Sequence, residues 1–208
     1  MADGVPSAFT IRSFRHGPFW NFTYLIAVPG GEAIVVDPGG AIEEVVAAAN
    51  SVQARITAAV LTHGHHDHTG GLHDLVRATG ATAYIHTEDA AMVARETGIE
   101  VIPVHHAHQL LLGRAELALL HTPGHTPGSL CLLANTALFT GDTLMTSGPG
   151  RHALVPGADE QLARSLADVV ARLPGDTTIY PGHDEGPADT TTLAEALARP
   201  PRNPFTKR

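Results

Sequence analysis

Four histidines and an aspartate crowd into residues 62–71, where the sequence is Thr-His-Gly-His-His-Asp-His-Thr-Gly-Gly. An H-x-H-x-D-H pattern is formed there by His63, His65, Asp67 and His68, with His66 in the variable slot. Imidazoles and carboxylates are the side chains that bind zinc and similar divalent ions. An exposed polar loop that happens to be rich in histidine is the alternative interpretation of this segment.

Three later motifs favour the metal site over the exposed loop. They place His125 in a repeated Thr-Pro-Gly segment, Asp142 in Thr-Gly-Asp and His183 in Tyr-Pro-Gly-His. Each follows a predicted strand or lies in a Gly/Pro turn, where side chains converge at a sheet edge. Five imidazoles and two carboxylates without a thiolate suit two divalent ions, zinc first and iron or manganese next. Seven ligands are too many for one tetrahedral ion, so two ions sharing Asp142 is the economical interpretation.

The elements that must position these residues mix strands and helices in both halves of the chain. Strand-like alternation after the apolar segment 56–62 sends His63 and His65 to the same side. Layer rules then favour an α+β arrangement, in which helices cover the outer faces of one or two central sheets. The length of 208 residues fits a single domain over 1–208. Spacing predicts strands at 9–14, 23–27, 32–36, 56–62, 82–86, within 109–139 and at 177–180, and helices at 41–50, 70–79, 87–97, 158–173 and 190–198.

Composition excludes several other classes of protein. The chain has 14 histidines, only 13 lysines and arginines, and a formal net charge of -8. A basic surface for nucleic acid is therefore missing, and no apolar run is long enough to span a membrane. Cys131 is the single cysteine, which excludes an internal disulfide and predicts core packing. The amino terminus has no basic start or apolar stretch, so we expect a cytoplasmic protein acting on a small molecule.

The metal-binding motifs, together with Asn-Phe-Thr-Tyr at 21–24 and Val-Val-Asp-Pro-Gly at 35–39, resemble the metallo-β-lactamase superfamily. Because of the Thr-Gly-Asp motif, the set is similar to its glyoxalase II-like branch. The resemblance implies an αββα sandwich, with two central mixed sheets flanked by helices and a metal site at one edge. It implies a bridging role for Asp142 and a loop-ordering role for Asp37. The ligands that it implies are His63, His65 and His125 for one ion and Asp67, His68 and His183 for the other.

The chemistry that this resemblance implies is hydrolysis of a thioester or a related activated ester. Two ions lower the pKa of a shared water, and the resulting hydroxide attacks the acyl carbon. Asp67 is expected to orient this hydroxide and take its proton. Glyoxalase II carries a C-terminal helical domain that grips glutathione, and we expect a short form without it. The residues expected to contact substrate are Arg151, His152, Phe19 and Trp20, whereas Glu185 is expected to repel an anionic glutathione tail.

Three alternatives to the thioesterase stay open. Persulfide dioxygenases resemble the same motif set but hold one iron through the equivalents of His63, His125 and Asp142, a two-His-one-carboxylate triad. A lactonase and a non-catalytic metal-binding protein are the other two. The last is disfavoured because all seven ligand positions are filled.

Overall fold

The chain folds into two six-stranded sheets that pack face to face, with helices on the outside. The structure, a computed structural model, describes residues 9–151, 153 and 155–200. The first sheet contains, in spatial order, β1 (Thr10–His16), β2 (Asn21–Ala27), β3 (Glu32–Val36), β4 (Arg55–Val60), β5 (Thr82–His86) and β6 (Val101–Val104). The strands β1 to β3 are antiparallel, and β3 to β6 are parallel.

The second sheet is built mainly from the later half of the chain. Its strands are β7 (His108–Leu112), β8 (Ala115–His121), β9 (Leu130–Ala134), β10 (Ala137–Gly141), β13 (Thr178–Pro181) and β14 (Thr191–Thr192). A two-stranded ribbon of β11 (Leu144–Met145) and β12 (Gly148–Pro149) lies between β10 and β13 in the chain. Only the β10–β13 pair is parallel, so both sheets are mixed and the predicted α+β sandwich is confirmed.

Helices complete the outer layers, because parallel neighbours in a sheet need long crossover connections. The crossovers of the first sheet carry α1 (Ile42–Ser51), a short α2 (His66–Thr69), α3 (Leu72–Thr79) and α4 (Thr87–Thr97). The second sheet is covered by α5 (Ala158–Asp168) and α6 (Leu193–Leu197). Within the described ranges, no helix has the length and apolar character needed to cross a lipid bilayer.

Strand β2 shows how the sequence creates two separate cores. All seven of its residues are buried, so the strand has no solvent-facing side. Phe22, Tyr24 and Ile26 point between the two sheets, whereas Leu25 and Ala27 face the helices over the first sheet. A third apolar cluster lies under α5 and α6 and contains Cys131, which is completely buried as predicted.

Two helices differ from the prediction by more than two residues at one end. The predicted helix 158–173 ends at Asp168 and continues only as a single 3₁₀ turn over Val170–Arg172. Leu173 precedes Pro174 and is extended, since a proline disfavours the helical conformation of the residue before it. The predicted helix 190–198 starts late, because Thr191–Thr192 pairs with β13 before Thr192 caps α6.

The topology brings the ends of four strands to one edge of the sandwich. Strands β3 and β4 are parallel neighbours, and Asp37 and Thr62 follow them at the same edge. Strands β10 and β13 are parallel as well, and Asp142 and His183 follow them. Connections beyond the carboxyl ends of parallel strands are where open sheets commonly place ligand sites.

Candidate metal centre

The first histidine cluster draws ligand atoms from both sheets. His63 and His65 follow β4, and His125 lies in the loop between β8 and β9. Nδ1 of His65 is 3.0 Å from Nε2 of His63 and 3.0 Å from Nε2 of His125. Four-coordinate zinc with bonds of 2.0–2.1 Å separates its ligand nitrogens by about 3.3 Å. The spacing of the three nitrogens therefore fits one tetrahedral ion.

The second cluster contains Asp67, His68 and His183. Nε2 of His68 lies 3.2 Å from Nε2 of His183, and these nitrogens are 3.8 and 3.6 Å from Oδ2 of Asp67. Asp67 and His68 both lie on α2, which forms where the sequence predicts only the turn into the next helix. The three ligand atoms all lie within 4.8 Å of one another, as they do in the first cluster.

Asp142 lies between the two clusters and reaches both. Its Oδ2 is 3.4 Å from Nε2 of His125 and 3.3 Å from Nε2 of His183, while its Oδ1 is 3.5 Å from Nε2 of His68. Among the described residues, Oδ1 is the buried side-chain oxygen or nitrogen that lacks a hydrogen-bond partner. Buried polar atoms are normally satisfied, so an ion at this point fits the orphaned oxygen. A Cβ on Gly182 would lie 2.3 Å from it, which explains glycine there.

The histidine nitrogens that face away from the clusters are held by the protein. Nδ1 of His183 donates to the carbonyl of Phe19 at 2.9 Å, and Nδ1 of His125 donates to the carbonyl of Arg151 at 2.7 Å. Nδ1 of His68 donates to Oδ2 of Asp37 at 2.9 Å. Each contact leaves the lone pair on Nε2 directed at the site, which is how outer partners orient metal-binding histidines.

Asp37 connects two parts of the site through a single buried carboxylate. Its Oδ1 accepts from the backbone N–H of Thr62 at 2.7 Å, and its Oδ2 accepts from the Thr62 hydroxyl at 2.7 Å. The same Oδ2 receives the bond from His68, so the end of β4 and helix α2 are fixed to one residue. These bonds give Asp37 the loop-ordering contacts that the resemblance implies.

In the metal-free site, burial and attraction between charged groups shift the pKa values of Asp142 and His183 in opposite directions. Burial alone would raise the pKa of Asp142, but His68 and His183 outweigh it and hold that pKa well below its ordinary value. Burial likewise works against protonated His183, yet its hydrogen bond and attraction to Asp142 raise its pKa to about 9. Burial lowers the pKa of His63, which keeps that imidazole neutral. Without metal, the site is thus held by ion pairs between histidines and Asp142.

Metal-free protein is expected to lose stability as the pH rises from about 7 to 9. His183 is protonated in the folded state up to a pKa of about 9 but only up to about 6.5 when unfolded, so its stabilising contribution is complete below 6.5 and disappears through 9. Burial lowers the pKa of His63 in the folded state, so this residue changes the free energy of unfolding only below about pH 6.5. Urea unfolding in chelator at a series of pH values measures the effect, and His183→Gln should reduce the slope, with His68, whose pKa the neighbouring carboxylates also raise, contributing the remainder. A constant free energy of unfolding in the wild type would contradict this expectation.

Three of the four residues predicted to contact substrate, Phe19, Trp20 and Arg151, lie around this edge. Phe19 and Trp20 are 64% and 50% exposed, and the Phe19 carbonyl accepts the hydrogen bond from His183. Arg151 has an exposed side chain, and its Nη2 lies 3.2 Å from Oε1 of Glu185. His152, the fourth predicted contact, lies outside the described residues.

A family model described as the metallo-beta-lactamase superfamily matches residues 17–183. The chain belongs to the metallo-β-lactamase superfamily. The match begins before β2 and ends at His183, so it covers every residue of both clusters. The resemblance seen in the sequence motifs is thereby confirmed.

Similar proteins refine the position of the chain within the metallo-β-lactamase superfamily. A hydroxyacylglutathione hydrolase of Polaromonas sp. (strain JS666) is 40% identical over 203 residues, which cover 94% of this chain and 73% of that protein. The crystal structure of ETHE1 from Myxococcus xanthus superposes with a TM-score of 0.76 at 30% identity, covering 89% of this chain and 80% of that one. TTHA1623 in a di-iron-bound form gives a TM-score of 0.73 at 30% identity, with coverages of 90% and 98%. The chain is a glyoxalase II-like metallo-hydrolase of the superfamily.

Two residues that contribute to this site were not predicted from the sequence. Asn21 donates from Nδ2 to Oδ2 of Asp67 at 2.9 Å. It stands in the Asn-Phe-Thr-Tyr motif, so a signal for it existed, although no role follows from the residue type alone. Asp89 accepts three hydrogen bonds from the loops that carry the first cluster. An acidic residue in the first turn of a helix is ordinary, so nothing in the sequence singles out Asp89.

Proposed function

We propose that the protein is a binuclear metal-dependent hydrolase that cleaves a thioester of a small acid. The observation that carries the proposal is Asp142, whose two oxygens lie close to nitrogens of both clusters. In this proposal, Asp142 would be the ligand shared by an ion held by the first cluster and an ion held by the second. Zinc is the expected metal, and iron or manganese would suit the same imidazole and carboxylate ligands.

The proposed ligand atoms are those that converge in the structure. His63 and His125 would use Nε2 and His65 would use Nδ1 for the first ion. Metal held by these residues would supply Lewis acidity toward the substrate carbonyl and lower the pKa of a bound water. Outer contacts through Asp37 and the Phe19 and Arg151 carbonyls keep the imidazoles in the required tautomer.

Asp67 is proposed as the residue that orients the attacking water and accepts its proton. Burial raises the pKa of its carboxyl, but the hydrogen bond from Asn21 and the neighbouring histidines outweigh that and lower it. Asp67 is therefore ionised at neutral pH and able to accept a proton. Its side chain is 33% exposed, so the carboxylate borders the open side of the centre. Asn21 fixes Oδ2 of Asp67 and so limits the rotation of the carboxylate.

Thioesters suit this site because their cleavage needs no acid from the protein. Water adds its oxygen to the acyl carbon, the carbon–sulfur bond breaks, and the products are a carboxylic acid and a thiol. A thiol has a pKa near 8.5, so the sulfur leaves as a thiolate without prior protonation. In this proposal the seven titratable groups of the two clusters act as ligands, and Asp67 also takes the proton from water. A thiolate leaving group does not need that proton back.

The proposal also concerns which thiol carries the acyl group of the substrate. Relatives named hydroxyacylglutathione hydrolase support a glutathione thioester. At the rim of this site, however, Arg151 is paired with Glu185, so its positive charge is already partly offset. We propose that a carrier with little negative charge is accepted at least as well as glutathione. The exposed Phe19 and Trp20 would then contact the apolar part of the substrate.

Metal-loaded protein is expected to hydrolyse a simple thioester, with two equivalents of metal per chain. The test compares a lactoyl thioester of glutathione with the same acyl group on N-acetylcysteamine, following the released thiol with a thiol reagent. The ratio of the kcat/KM values is expected to be near one or to favour the uncharged carrier. A loaded enzyme that cleaves neither compound would contradict the proposal.

A mononuclear iron oxygenase is the second candidate. Its three ligands would be His63, His125 and Asp142, and Nε2 of His125 lies 3.4 Å from Oδ2 of Asp142. A similar structure is that of a di-iron-bound form, which supports iron as a metal for this fold but as two ions rather than one. The second cluster is fully formed, and this favours two ions over one. Elemental analysis together with oxygen uptake on glutathione persulfide separates the two functions.

A further inference from the structure

The loops that carry the first cluster meet at a carboxylate from a different element. Asp89 lies in the first turn of α4 and is 3% exposed. Its three hydrogen bonds go to residues other than the seven proposed ligands, and the proposed hydrolase mechanism does not use it. A buried carboxylate needs compensation by hydrogen bonds, so the partners of Asp89 indicate what it does.

All three partners of Asp89 belong to the two loops that hold the first cluster. Its Oδ2 accepts from the backbone N–H of Gly64 at 3.0 Å and from the hydroxyl of Thr126 at 2.7 Å. Its Oδ1 accepts from the backbone N–H of Gly128 at 3.0 Å. Gly64 stands between His63 and His65 in the chain, and Thr126 follows His125. One carboxylate thus joins the segment after β4 to the segment between β8 and β9.

The two loops pack so closely against α4 around these hydrogen bonds that their backbones have little room to move. A Cβ on Gly64 would lie 2.4 Å from the methyl carbon of Met92, and one on Gly128 would lie 2.5 Å from Cγ of Asp89. The backbone of both loops therefore approaches α4 as closely as glycine permits. Thr126 is fixed further by Ser129, whose hydroxyl accepts from the Thr126 N–H at 2.9 Å.

We propose that Asp89 is a positioning residue that sets the distance between His65 and His125, and so determines the metal affinity of the first cluster. The two imidazoles come from different sheets, and their nitrogens are 3.0 Å apart. Among the contacts described above, Asp89 provides the charged link between the two loops. The inference rests on the metal centre proposed above, and it adds a determinant of that centre outside the seven ligands.

The experiment measures zinc affinity by competition with a chromophoric chelator. Asp89→Asn keeps the side-chain shape but replaces one acceptor oxygen with an amide that faces N–H donors. We expect the affinity of one of the two zinc equivalents to fall roughly 10–100-fold, the range typical of lost outer contacts. A His183→Ala background removes a ligand of the second cluster, so the remaining equivalent reports the first. Glu88→Gln, an exposed charge change in the same helical turn, is the matched control.

A second pair of variants guards against a folding defect in Asp89→Asn. Thr126→Val removes one of the three bonds and is expected to weaken the same equivalent by a smaller factor, whereas Thr126→Ser keeps the hydroxyl and should restore it. Unchanged affinity in both Asp89→Asn and Thr126→Val would overturn the proposal. Equal weakening of both equivalents, in parallel with a lower Tm of the metal-free protein, would also overturn it. Wild type that binds no zinc would overturn the metal centre itself.

Discussion

Asp142→Ala is expected to reduce turnover roughly a thousandfold and to lower bound metal from two equivalents per chain to one or fewer. Asp142 is the proposed ligand whose oxygens approach nitrogens of both clusters, at 3.3 to 3.5 Å. Losing it would leave the two proposed ions without a shared ligand and would remove several kcal/mol of transition-state charge stabilisation, at about 1.4 kcal/mol for each factor of ten. Elemental analysis and kcat on a thioester measure the two effects.

The control for this change is Asp74→Ala on α3, whose side chain is 77% exposed. It should keep both metal and turnover, since it removes a carboxylate of the same type from the surface. If Asp142→Ala retained two equivalents and wild-type kcat, the bridging role would be wrong.

Asp67→Asn is expected to lower kcat by roughly 10²–10⁴, the usual range for removing a positioned proton acceptor. The amide keeps the size of the carboxylate and an oxygen for the hydrogen bond from Asn21, but it is far less basic. KM is expected to change much less than kcat, because the proton moves only in the transition state. Steady-state kinetics across pH measure this split.

Metal content has to be determined alongside, because Asp67 is also a proposed ligand. A variant that holds two equivalents and still loses kcat would locate the defect in proton transfer. Asp74→Asn is the matched surface control. An Asp67→Asn enzyme with two equivalents and turnover within about threefold of wild type would show that another group takes the proton.

The fold was predictable from sequence wherever hydrophobic spacing was regular. The strands Glu32–Val36 and Thr82–His86 and the helix Thr87–Thr97 have the predicted bounds. Prediction was wrong where local interactions compete with periodicity. Proline at 174 forces Leu173 out of the helix, and pairing with β13 delays the start of α6. Neither effect is visible in the spacing of apolar residues.

The candidate site was predictable where ligands are close in sequence or lie in recognisable turns. The convergence of His183 with the other motifs was predicted from its turn after a strand. The assignment of His68 and His183 to one ion came from the family resemblance, because pairing across two sheets is not encoded locally. Asp89 could not be found in this way, since its role depends on which loops pack against α4. Similarly, the pairing of Arg151 with Glu185 depends on how two loops lie next to each other.

The division of each ligand cluster between the two sheets has a consequence for the whole molecule. His63 and His65 extend from the first sheet and His125 from the second, while His68 follows the first and His183 the second. Ions bound at this edge would act as cross-links between the two halves of the sandwich. Free energy of metal binding then becomes free energy of folding, because the unfolded chain cannot assemble either cluster. The thermal midpoint of the protein would therefore report the free metal concentration around it.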